Sequence, residues 1–146
     1  MQKITPFLWF DGNALEAARF YTGIFPDARI TSDLPGPGGK PMVVAFELAG
    51  QSFTALNGGP QFTFNESVSF VIDCKDQGEI DHYWDRLTAE GGTPSRCGWL
   101  KDPFGLSWQV VPSRLPQLIR HPAAMQAMMG MSKIVLADLE AAAATS

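Results

Sequence analysis

The chain has 146 residues, 45% hydrophobic and 18% charged, with a formal net charge of −4; that is apolar material for one core, or for two small halves folded together. The acidic balance and the absence of any Lys/Arg cluster exclude a nucleic-acid partner, and no apolar run approaches the ~20 residues of a membrane span. Cys74 and Cys97 are too few for a disulfide framework, so a cytoplasmic setting is expected.

Ile4 to Phe10 is an apolar run of strand length. Asn13, with Glu16 three residues on, reads as an N-cap close to a capping box. Ala17, Phe20, Tyr21 and Ile24 then form the stripe of an amphipathic helix. The connection Pro35-Gly36-Pro37-Gly38-Gly39-Lys40-Pro41 reads as a loop, followed by a hairpin of about 42–48 with 51–57. The series then begins again. Val68 to Asp73 is a second apolar run, Asp76 with Glu79 a second cap, and Ile80, Tyr83, Trp84 and Leu87 a second stripe. Gly91-Gly92 stops that helix, and a second hairpin pairs about 97–101 with 106–111. From His121-Pro122, a stretch containing Met125, Met128, Met129, Met131, Ile134, Val135 and Leu139 reads as one C-terminal helix with a tail frayed from Ala141.

The two series match residue by residue. At an offset of 63, Phe7 falls on Phe70, Trp9 on Ile72, Glu16 on Glu79, Phe20 on Tyr83 and Tyr21 on Trp84. At an offset of 55, Gly50 falls on Gly105, Ser52 on Ser107 and Phe53 on Trp108. The repeat predicts paired modules of about 1–62 and 63–120, followed by 121–146 as the C-terminal helix and tail.

The second hairpin fixes its own register. Asp102-Pro103-Phe104-Gly105 suits a type I turn with a left-handed Gly, giving a three-residue loop with a bulge that pairs Lys101 with Ser107 and Trp99 with Gln109. Partners across a ladder share a face, so Trp99, Lys101, Ser107 and Gln109 line one side and Leu100, Trp108 and Val110 the other. In the first half, Ala45, Glu47, Ser52 and Thr54 lie together, opposite Phe46, Phe53 and Ala55. The greasier side takes the helices; the mixed side is left to enclose something.

A doubled βαβββ unit with Phe20-Tyr21 in its first helix and Asp102-Pro103-Phe104-Gly105 before its last strand resembles the vicinal oxygen chelate superfamily of glyoxalase I, bleomycin-resistance proteins and extradiol dioxygenases. Ile4 to Phe10, Ala55 to Pro60, Cys97 to Asp102 and Ser107 to Pro112 are similar to its PhnB-like branch, many of whose members carry the label 3-demethylubiquinone methyltransferase. The resemblance covers residues 1 to about 140. It implies an α+β fold: two βαβββ modules forming a curved mixed sheet, with a C-terminal helix, commonly in a homodimer around a small-molecule cavity. It also implies that the superfamily's metal-ligand positions fall on Pro6, Thr54, Ser69 and Gln109, of which only Gln109 offers a plausible ligand. No metal and no cofactor are therefore expected.

Trp99 and Gln109 are the leading ligand contacts, a broad apolar surface beside an orienting amide, with Thr54 and Ser69 completing the set. Glu47 and Lys101 are the candidate proton carriers if that face is enclosed. His82 and His121 read as surface and boundary residues, Cys74 and Cys97 as small apolar fillers, and Asp102 as a turn former. A Gly-rich strand-to-helix turn that would cradle a methyl donor is missing, since residues 36–39 lead into a strand. The leading expectation is a metal-independent small-molecule-binding protein. The alternatives are a lyase or isomerase acting beside a carbonyl, and an oligomeric interaction module built on the Met-rich helix.

Overall fold

The computed structural model describes residues 2–39 and 41–145. Lys40, in the expected connecting loop, and Ser146, in the expected tail, lie outside the described residues. The chain divides into two compact units at Phe64/Asn65.

Unit 1 runs β1 (Phe7–Phe10), α1 (Ala14–Thr22), β2 (Arg29–Pro35), β3 (Pro41–Leu48) and β4 (Gln51–Asn57). Its sheet has the order β1-β4-β3-β2, with β1 and β4 parallel and the other pairs antiparallel. The hairpin register puts Ala45 opposite Thr54 and Glu47 opposite Ser52, with Phe46 opposite Phe53 on the other face, as the Ala49-Gly50 turn predicts. Both turn residues have positive φ, 50° and 83°, the twist that joins two strands through a two-residue loop. Val44, Phe46, Leu48, Phe53 and Ala55 are buried under Ala17, Ala18 and Tyr21 of α1, and the rings of Phe46 and Phe53 stack at 5.4 Å.

The expected cap on α1 is corrected. Asn13 makes no side-chain bond to the helix, and its φ and ψ of −117° and 26° lie outside the extended region that a reciprocal cap needs. Asn57 at the end of β4 caps instead, accepting from the Ala14 N–H at 2.8 Å while its amide donates to the Pro41 carbonyl at 2.8 Å.

Unit 2 repeats the pattern: β5 (Ser69–Cys74), α2 (Gln77–Thr88), β6 (Thr93–Pro94), β7 (Trp99–Lys101) and β8 (Ser107–Pro112), in the order β5-β8-β7-β6. Here the predicted capping holds. Asp76 accepts from the Glu79 N–H, and the Glu79 carboxylate accepts from the Lys75 N–H, both at 2.9 Å. Ile80, Tyr83, Trp84 and Leu87 are all buried, the stripe expected of α2. The strand expected from Cys97 starts two residues later. Cys97 and Gly98 have φ of 59° and 86° and form the tight turn from β6 to β7, closed by bonds from the Ser95 N–H to the Trp99 carbonyl and from the Trp99 N–H to the Arg96 carbonyl.

The segment 121–145 is helical, as expected, but in two pieces, preceded by a short α3 (Leu115–Leu118): α4 (Pro122–Met129) and α5 (Leu136–Ala144). Ala141 to Ala144 continue α5 rather than fray. The break falls after Gly130, because the backbone of Met131 and Ser132 is engaged elsewhere: their carbonyls accept from the N–H groups of Cys97 and Gly98 at 2.9 Å. Gln77 bridges the same stretch, donating to the Ile134 carbonyl at 3.0 Å and accepting from the Leu136 N–H at 2.7 Å. Ile134 and Leu139 are fully buried.

Candidate functional site

The second hairpin builds the site. Asp102 is 2% exposed; its Oδ1 accepts from the N–H groups of Phe104 and Leu106 at 2.8 and 3.1 Å, and its Oδ2 from the Trp108 indole N–H at 2.8 Å. It organises the turn, as its Pro103 and Gly105 context predicts. The result is the expected register, Lys101 opposite Ser107 and Trp99 opposite Gln109. Through the parallel β5–β8 pair, Ser69 lies beside Ser107. One face of the unit 2 sheet thus carries Ser69, Trp99, Lys101, Ser107 and Gln109, with Thr93 of β6 beside Lys101. Leu100, Trp108 and Val110 are buried on the other face.

A recess of about 240 Å³ opens on that mixed face, lined by Glu66, Thr93, Pro94, Trp99, Lys101 and Ser107 among others. Its volume lies below the roughly 300–1,000 Å³ of drug-sized sites, room for a small molecule only. Ser107 is 1% exposed, and its Oγ has no hydrogen-bond partner among the described residues. An orphaned buried hydroxyl costs about 1–3 kcal/mol. At the rim the Lys101 ammonium meets the Glu66 carboxylate at 3.2 Å, and that hydrogen bond from Lys101 is the main cause holding the Glu66 carboxyl below the usual carboxylate range.

Of the residues expected to contact ligand, Trp99 lines the recess, whereas Gln109 and Ser69 bond to each other, the amide donating to Oγ at 3.0 Å. Thr54 belongs to unit 1, half-buried on the face it shares with Ala45, its N–H donating to the Pro6 carbonyl at 3.0 Å. The two candidate proton carriers are both ion-paired: Lys101 with Glu66, and Glu47 with Arg29 at 3.7 Å within unit 1. Glu66, Thr93 and Pro94 were not singled out by the sequence. Ser107 was placed on the right face, but nothing in the sequence marks its hydroxyl as unpartnered.

The metal positions implied by the resemblance pair up as Pro6 with Thr54 and Ser69 with Gln109. Proline contributes no side-chain donor, the two hydroxyls are neutral, and the Gln109 amide nitrogen is turned onto Ser69. This donor set does not fit a tightly held divalent ion, which wants carboxylate or imidazole ligands. Among the described residues no three His, Cys, Asp or Glu side chains converge. Cys74 is buried, and burial pushes its thiol up to about 12, the opposite of an activated nucleophile.

Two βαβββ units, each with a four-stranded mixed sheet, are the fold of the glyoxalase and bleomycin-resistance proteins within the vicinal oxygen chelate superfamily. The chain belongs to the 3-demethylubiquinone-9 3-methyltransferase family, whose model matches residues 2–111. The PhnB protein of Bacillus cereus is 32% identical with a TM-score of 0.71, over 76% of this chain and 99% of that one. Protein PA1353 of Pseudomonas aeruginosa is 20% identical with a TM-score of 0.64, over 77% of this chain and 98% of that one. The fosfomycin resistance protein FosX of Listeria monocytogenes, in complex with Mn(II) and sulfate, is 17% identical with a TM-score of 0.58, over 82% of this chain and 99% of that one. These last two show likeness of fold. No curated protein matches the chain.

Proposed function

We propose that the protein binds a small organic molecule on the mixed face of its second sheet without the help of a metal, as a homodimer in the cytoplasm. The observation that carries this reading is the recess on that face, lined by Trp99, Lys101 and Ser107. Ser69 and Gln109 are assigned to the wider ligand surface of that sheet, and Thr54 to the corresponding face within unit 1. The donor set at the four superfamily metal positions supports metal independence. Against methyl transfer stands the shape of the strand-to-helix connections: neither Asp11-Gly12-Asn13 nor Lys75-Asp76 is a Gly-rich cradle, and Pro37–Gly39 form a single tight turn leading into β3. The competing reading, a lyase or isomerase, draws on Lys101 at the recess rim. The test is a thermal-shift screen of small organic fragments, run with and without chelator and with added Mn²⁺. The reading expects shifts that ignore the chelator and vanish in Trp99→Ala. Shifts that require Mn²⁺ would overturn it.

A further inference from the structure

We infer that the recess takes a small carboxylate, and that Glu66 stands in its anion position until the ligand arrives. This rests on the reading of the recess as the binding site and adds the chemical class of what enters it. Three observations converge. Lys101 is the cation among the named lining residues, and its ammonium meets the Glu66 carboxylate at 3.2 Å. That carboxylate is supplied by an exposed loop residue ahead of β5, its side chain 65% exposed against 40% for Lys101. An exposed ion pair of this kind is weak and easily exchanged. Ser107, directly opposite Lys101 in the ladder, has a buried hydroxyl with no partner among the described residues. A ligand carboxylate on the ammonium would bring acceptor oxygens to the side of the recess that Ser107 lines. The Glu66 carboxylate, bonded at the rim, leaves Ser107 unserved. Trp99 and Pro94 supply apolar walls for a flat body. The ligand class is therefore a compact acid with a planar apolar remainder, and Glu66 acts as an internal competitor for Lys101.

The experiment uses two probes of one shape, benzoate and the neutral benzamide, titrated at low ionic strength into the full chain while the Trp99 indole N–H signal is followed by NMR. Benzoate is expected to move that signal. Glu66→Gln should tighten benzoate about two- to fivefold, the range an exposed ion pair is worth, and leave benzamide unchanged. Lys101→Met should weaken benzoate about tenfold, as loss of a charge-assisted bond does, and Ser107→Ala about fivefold. Equal binding of the two probes, indifferent to both Glu66→Gln and Lys101→Met, overturns the anion class and leaves the recess reading standing. If neither probe moves the Trp99 signal, the recess reading falls and takes this inference with it. The Glu66 and Lys101 side chains are 65% and 40% exposed, so both variants should fold.

Discussion

Replacing Asp102 by alanine removes the acceptor for three donors at once. The Phe104 N–H is partly buried and can turn to water, but the Leu106 N–H and the Trp108 indole N–H are buried. Leaving a buried donor unsatisfied costs about 1–3 kcal/mol, so two of them should cost about 2–6 kcal/mol. That is a large share of the ~5–15 kcal/mol by which a domain is stable, and at roughly 2–4 °C per kcal/mol for a chain of this size it lowers Tm by about 10 °C. Asp102→Asn keeps Oδ1 for the two backbone donors but sets an amide N–H against the indole N–H, so about 1–3 kcal/mol is expected. Urea unfolding followed by tryptophan fluorescence measures both. Combining Asp102→Asn with Trp108→Phe should recover part of the loss, because the clash of donors disappears. Asp102→Ala within 1 kcal/mol of the parent would refute the reasoning and with it the account of how this hairpin holds its register.

Ser107→Ala should leave the free protein as stable or about 1 kcal/mol more stable, since it deletes a hydroxyl that bonds nothing; a clear loss in urea unfolding would mean that Oγ has a partner after all. Gly98→Ala should destabilise by more than 2 kcal/mol, on the order of other strained backbone sites. Its Cβ would sit 2.9 Å from the Val110 carbonyl at a φ of +86°, and thermal unfolding reads the loss. Ala49→Asn should add about 0.5–1 kcal/mol, because Asn tolerates the positive φ of that turn better than Ala does; an unchanged Tm counts against it. For Cys74, the native thiol is raised from about 9 to about 12. Its contribution to stability is thus complete below pH 9 and is lost as the pH climbs from 9 to 12, where the unfolded thiol ionises and the folded one resists. Cys74→Ala should flatten that part of the stability profile.

The faces of both hairpins were legible because their turns dictate them: Asp102-Pro103-Phe104-Gly105 and Ala49-Gly50 each allow one register, and a register assigns every side chain on two strands. The edge strands were less legible. Arg29-Ile30-Thr31-Ser32-Asp33 of β2 shows no apolar alternation because an edge strand need not bury either face, and β6 is two residues long. The Asn57 cap was out of reach of local reasoning, since it lies 43 residues from the helix it serves. The C-terminal helix was overextended for the same reason: its Met- and Ala-rich sequence favours a helix, but two distant backbone bonds from Cys97 and Gly98 decide where it breaks. In the site, Trp99 followed from the pattern. The Glu66–Lys101 pair did not, because it joins a loop residue to a strand 35 positions away, and charge spacing along the chain carries no trace of that encounter.

The tie between the Cys97-Gly98 turn and Met131-Ser132 bears on how this chain can diverge. The family model ends at Val111, yet a residue inside it, Gln77, bonds through both ends of its amide to the backbone of Ile134 and Leu136, and the Ser95 carbonyl beside the recess accepts from the Ser132 hydroxyl. Residues within the shared fold have become answerable to an appendage. Shortening the chain to the matched length would remove the acceptors of the Cys97 and Gly98 N–H groups and the buried Ile134, so the matched region depends for part of its own bonding on the segment that follows it.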